Sequence, residues 1–171
     1  MSKLAAFAAT ALRDGDLPIP TDAVQNRYWT DAMCEMAAHI GPVATLQIVD
    51  VFGGLELYIP VNPERCAAYT VIGADKCAIL CAIYTSERLP IPVGASAVRY
   101  AKIAPILAGV RARQISLTDA VVILKAAGIK TSRSYLSGII NKTDQGKFAK
   151  IWQPVRIPDA RQMVMFDEDA A

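Results

Sequence analysis

The sequence predicts a mainly α protein with a small antiparallel β element: a helical body followed by a C-terminal helix-turn-helix. Three observations carry that expectation. Residues 40–61 align without gaps to residues 72–93, and each copy reads as a helix followed by a short strand. Residues 117–128 read as a helix closed by a glycine, and residues 132–141 as a second helix just after it. Charge also changes sign along the chain. Residues 1–98 hold six Lys or Arg against ten Asp or Glu, a net of −4. From Arg99 to Arg156, eleven basic residues face only Asp119 and Asp144, a net of +9. The stretch from Ile157 to Ala171 carries −3, so the whole-chain value of +2 conceals the partition.

The elements follow in order. At 171 residues and 53% hydrophobic, the chain can bury a real core in one medium domain or two small ones. Residues 1–12 are apolar but short of a membrane span, and Arg13-Asp14-Gly15-Asp16 follows with no cleavage-site pattern. They read as a helix of a cytoplasmic protein. Asp22, with Gln25 three residues on, predicts a capped helix start. That helix runs to about His39 and stops at Gly41. Pro42 suits the first turn of the next helix, which ends at Gly53-Gly54. Residues 55–59 alternate like a strand, and Pro60 stops it. Asn62-Pro63 reads as a cap-and-start pair for a helix closing at Gly73. A helix, a strand and a proline stop then recur through Pro92.

The two copies keep one constant offset, with six identities: Ile40/Ile72, Gly41/Gly73, Leu57/Leu89, Ile59/Ile91, Pro60/Pro92 and Val61/Val93. Leu17-Pro18-Ile19-Pro20 resembles a remnant of a third copy. Glu56 and Arg88 are repeat-equivalent and suited to a cross-strand ion pair. A lone short strand is unstable, so the two strands must pair within one chain or with a partner chain. One helix-turn-helix per chain favours a homodimer, with Leu57, Tyr58, Ile59, Leu89 and Ile91 as the strand and dimer residues. The expected organisation is a body over 1–94, a linker helix over 95–110 disturbed near Pro105, a helix-turn-helix region over 111–150, and a C-terminal extension over 151–171. In that extension, residues 153–158 and 162–166 read as short extended segments, and Phe166 to Ala171 as an acidic, frayed end.

Gly128 and Ile129 fit a helix-turn-helix turn, and Leu136, Ile139 and Ile140 fit the locking face. Lys130-Thr131 lengthens the turn by about two residues over the tightest form. The first turn of a recognition helix meets base edges. Ser132, Arg133, Ser134 and Ser137 are therefore the base-reading candidates, Arg133 through paired donor bonds to guanine O6 and N7. Ser132 is equally suited to a helix N-cap. Arg111, Arg113, Lys130, Thr131, Lys142 and Lys147 suit phosphates, which position without specifying.

Gly53-Gly54-x-x-x-Tyr58-Ile59-Pro60 after an amphipathic helix resembles the strand region of the Mor/C family of phage transcription activators. The order of elements continues similarly through the second strand, a helix and Ser116-Leu117-Thr118-Asp119-Ala120, so the resemblance spans roughly residues 40–141. It implies a dimer whose helix–strand domain is joined by a linker helix to a helix-turn-helix. It also implies double-stranded DNA and RNA polymerase as partners. This chain departs in having two helix–strand units, the second with Thr85-Ser86 in place of the glycine pair; the duplicated unit suits an intrachain pseudo-dimer as well.

No GxGxxG, P-loop, nucleophile elbow or metal-binding motif is present, so an enzyme and a cofactor are not expected. The lone His39 reads as structural. Cys34, Cys66, Cys77 and Cys81 contain no CxxC pair, and a zinc site would need distant parts to converge. They read as reduced, buried thiols. The expectation is a sequence-specific DNA-binding regulator of phage or prophage type. The alternatives are a phage packaging or recombination factor, or an adaptor that binds protein rather than DNA.

Overall fold

The computed structural model describes residues 16–143, apart from the side chains of Lys142 and Thr143. Among these residues, seven α-helices and one two-stranded sheet follow in order: α1 (Asp31–Ile40), α2 (Pro42–Phe52), β1 (Glu56–Tyr58), α3 (Tyr69–Ile72), α4 (Ala74–Ile83), β2 (Arg88–Pro90), α5 (Ala95–Arg111), α6 (Leu117–Ala126) and α7 (Arg133–Thr143). A 3-10 turn, Pro63–Arg65, precedes α3. No helix among the described residues is long and apolar enough to cross a membrane. The expected N-terminal helix and everything after Thr143 lie outside the described residues.

The repeat is written into the backbone as a local two-fold. β1 and β2 pair antiparallel, with Leu57 opposite its own repeat equivalent Leu89. Every flanking bond has its counterpart in the other copy. Gly54 N–H donates to Ile91 O at 2.9 Å, as Ser86 N–H does to Ile59 O at 2.8 Å. Ile91 N–H donates to Leu55 O, and Ile59 N–H to Glu87 O, both at 2.9 Å. Gly41 (φ 87°, ψ 162°) and Gly73 (φ 82°, ψ 167°) share a backbone region open essentially to glycine alone. Each ends one helix and opens the next. Its N–H donates back to Ala37 or Tyr69, and its carbonyl accepts from Thr45 or Cys77.

Two apolar clusters hold the chain. The body core gathers Met33, Leu46, Ile48, Leu57, Ile59, Leu80 and Ile91. The second core gathers Leu17, Ile103, Ile106, Leu107, Leu124, Leu136 and Ile139. The helix α5 belongs to both: Ala97, Val98 and Ala101 enter the first, while Ile103, Ile106 and Leu107 enter the second. At about 100° per residue these two groups lie on opposite sides of the helix. The segment is therefore a shared wall, not a linker, and it runs unbroken past Pro105 to Arg111.

Four other expectations are corrected. Asp22 caps nothing: α1 starts at Asp31, where the Thr30 hydroxyl accepts from Met33 N–H at 3.3 Å. The preceding segment follows tertiary bonds instead, with Asn26 accepting from Tyr28 N–H and donating to Ala97 O. The helix expected from Pro63 to Gly73 breaks into the 3-10 turn and α3 around Cys66–Ala68, whereas its repeat equivalent α1 is continuous. Leu17–Pro20 forms no strand, and Leu17 packs in the second core. Finally, the strands find their partner within the chain. Of the five strand residues offered to a dimer, Leu57, Ile59 and Ile91 are buried in the chain's own core and Leu89 is half-buried against it; Tyr58 alone among them is exposed.

Candidate nucleic-acid interface

The second core is a three-helix unit in which α5, α6 and α7 all pack on one another. Ser116 begins α6 with a capping box: its hydroxyl accepts from Asp119 N–H at 3.1 Å, and Asp119 reaches back to Ser116 N–H at 3.3 Å. The helix ends in a Schellman turn. Ile129 N–H donates to Leu124 O at 2.9 Å and Gly128 N–H to Lys125 O at 3.1 Å, with Gly128 at φ 70°. That geometry reverses the chain and drops Ile129 onto the core, as expected from Gly128-Ile129. Leu136 and Ile139 are buried and Ile140 is half-buried, so α7 locks onto α6 by the expected face.

The opposite face of α7 is open. Ser132, Arg133, Ser134 and Tyr135 are exposed, and Ser137 and Gly138 are half-exposed. Ser132 is the N-cap, its hydroxyl accepting from Tyr135 N–H at 3.2 Å. Its hydroxyl hydrogen remains able to donate outward. Gly138 costs about 1 kcal/mol relative to Ala inside a helix. A Cβ there would meet nothing within 4 Å, so packing inside the chain does not require glycine. Ser134, Gly138 and Asn141 form a stripe of small residues one turn apart, which permits close approach of a surface from outside.

The phosphate candidates divide. Arg111, Arg113 and Lys130 are exposed on this unit. The Thr131 hydroxyl is buried without a protein partner and does not face solvent. Lys142 ends α7 with its side chain undescribed, and Lys147 lies outside the described residues. Arg113 has a left-handed backbone, φ 56°, at the turn that ends α5. Its N–H donates to Val110 O and Gln114 N–H to Gly109 O, which places arginine where such a turn favours glycine.

Two basic residues of the +9 segment serve the fold. Lys102 Nζ pairs with Asp50 at 3.0 Å and Asp16 at 3.3 Å. Burial alone would lower its pKa, but the bonds and charges of Asp50 and then Asp16 outweigh that and hold it above the ordinary lysine value. Arg99 donates to the Lys130 carbonyl and sits 5.9 Å from the Tyr135 ring. It ties α5 to both the turn and the first turn of α7. Sequence reasoning counted Arg99 only as charge, because no local pattern links it to Lys130, 31 residues on.

Elsewhere, Glu56 and Arg88 do pair across the strands, at 3.9 Å and largely exposed, which stabilises little. His39 lies edge-on to Tyr84, and its buried Nδ1 has no hydrogen-bond partner. No family model, curated protein or solved structure matches the chain.

Proposed function

We propose that the chain is a sequence-specific regulator of transcription that binds double-stranded DNA, Mor-like in plan and of phage or prophage origin. The observation that carries the reading is the three-helix unit: a Gly128 turn presents an exposed first turn of α7, with Arg133 between two serines, on a basic half joined to an acidic body. Arg133 reads guanine, Ser132 and Ser134 contact neighbouring edges or phosphate, and Arg111, Arg113 and Lys130 hold the backbone. The protein acts as a homodimer so that two such units span half-sites about one helical turn apart. Because β1 and β2 already pair within the chain, the dimer uses exposed apolar residues of the body rather than completion of a strand pair. Val61 and Val93, repeat equivalents 71% and 75% exposed, belong to that surface.

Selection of bound sites from random duplexes, followed by anisotropy titration of the winner, tests this reading. Four phosphate contacts give a log–log salt slope of about −3.6. Arg133→Ala costs about 1–3 kcal/mol on the preferred site and relaxes one base pair, with folding intact. Absence of any selected sequence, together with salt-insensitive binding, overturns the assignment and favours a protein-binding adaptor.

A further inference from the structure

We propose that Cys66, Cys77 and Cys81 form a three-thiolate site for a thiophilic closed-shell cation, Zn(II) foremost. The sequence separates Cys66 from the other two and offers no CxxC pair, but the fold closes that distance. Cys66 follows the 3-10 turn at ψ 130°, and Cys77 and Cys81 lie one turn apart on one face of α4. Their sulfurs all lie within 4.8 Å of one another. Three thiolates at the usual Zn–S distance of about 2.3 Å stand about 4 Å apart, so small side-chain adjustments suffice. All three are buried and none is in a disulfide.

The repeat supplies an internal control. The equivalent positions in the first copy are Cys34, Thr45 and Val49. Thr45 and Val49 are as well buried as Cys77 and Cys81, and Thr45 satisfies its hydroxyl on Gly41 O at 2.9 Å. The fold therefore packs this spot with one cysteine, a threonine and a valine; three cysteines are not a packing requirement. The break in local symmetry falls at the same place. The second half leaves helical backbone at Cys66, whereas Cys34 sits within continuous α1.

Without a cation the three groups stay protonated. Burial pushes the Cys77 thiol up to about 12, helped by Cys66 and Cys81 beside it, and Cys81 is also raised, chiefly by burial. A cation takes the place of three protons, which leave to solvent, so uptake strengthens as pH rises. Zn(II) leaves a net −1 and takes a fourth ligand from solvent, whereas Cu(I) is satisfied by three sulfurs and leaves −2. The smaller buried charge favours Zn(II). Bound, the cation would clamp the 3-10 turn onto α4.

The test is anaerobic titration of the reduced full chain with Co(II). We expect one equivalent bound, with a thiolate-to-cobalt charge-transfer band in the near ultraviolet that Zn(II) abolishes. Cys34→Ser keeps the band. The double variant Cys77→Thr/Cys81→Val, which installs the residues of the first half, loses it while circular dichroism stays helical. Uptake of one Cu(I) in competition with a chelator, without Co(II) or Zn(II) uptake, keeps the site and assigns it to the monovalent ion. Failure of the folded wild-type chain to take up any of the three ions leaves three buried thiols and overturns the proposal, whatever the variants do.

Discussion

The two halves of the body share a plan but not a load. Both run helix, glycine, helix, strand and proline, and their strands meet on a local two-fold at Leu57 and Leu89. The first half carries the arm: α5 packs on α2, Lys102 reaches Asp50, and Asn26 holds Ala97 O. Ala82 stands at the position equivalent to Asp50 and offers Lys102 no such bond, and Ile79 and Ile83 of α4 are exposed. The second half instead gathers the cysteines and breaks its first helix. Duplication thus supplied two equivalent platforms, and each has since taken a different task. One helix-turn-helix per two-fold unit is the result.

The largest effects test whether the shared plan is shared energetically. Ile59 and Ile91 are repeat equivalents, 0% and 3% exposed. Ile59→Ala and Ile91→Ala should each lose about 2–5 kcal/mol in urea unfolding, from lost transfer energy plus a residual cavity. A loss below about 0.5 kcal/mol for either one would mean that its half is not held by the common core. The glycine hinges come next. Neither Gly41 nor Gly73 would give a Cβ any neighbour within 4 Å, so alanine there is strained by backbone alone. Each Gly→Ala change should cost about 1–3 kcal/mol. A neutral result at one hinge would show that its backbone relaxes, and that the φ match between the halves is incidental.

This symmetry was largely legible in advance. A gapless repeat with a proline stop leaves a strand little choice but its own equivalent, and the alternation of Leu57 and Ile59 sets which face is buried. The turn of the helix pair was legible too, since Gly128-Ile129 encodes a Schellman closure. What escaped was set at a distance. Nothing local shows that Asn26 will bond Ala97 and keep residues 22–30 out of a helix. The cap-and-start pair Asn62-Pro63 serves a 3-10 turn as well as an α-helix, with the Asn62 side chain accepting from Glu64 N–H in the observed form. The double duty of α5 hid because its buried face changes sides midway, which erases a single stripe. In the site, exposure of Arg133 was readable from spacing, but the anchoring of that turn by Arg99 was not.

Backbone strain separates the arm from the body by a smaller margin. Arg113 and Ser86 are the described non-glycine residues with positive φ. If Arg113 is kept for phosphate contact, Arg113→Gly should stabilise the fold by up to about 1 kcal/mol and flatten the salt slope of duplex binding by about 0.9. Greater stability with unchanged DNA binding would remove Arg113 from the interface and leave its conformation without a functional reason.

The finest comparison lies at Gly54 and Ser86. These equivalents hold φ 82° and 61° and donate to Ile91 O and Ile59 O in matching bonds. The left-handed region costs an L residue about 1–2 kcal/mol, so the second half bears a strain that glycine spares the first. Ser86→Gly removes it and keeps the N–H, but glycine also gains freedom in the unfolded chain, worth about 0.5–1 kcal/mol against it. The net expectation is a gain of about 0.5–1 kcal/mol. Gly54→Ser runs the other way and costs about 1–2 kcal/mol. Its added Cβ lies 3.1 Å from Val93 Cγ2, the end of an exposed side chain that can shift, so backbone and not crowding sets the loss. The two variants measured together in urea should move in opposite directions. If both destabilise, Ser86 contributes through its hydroxyl, and the turn in the second half has acquired a bond of its own since duplication.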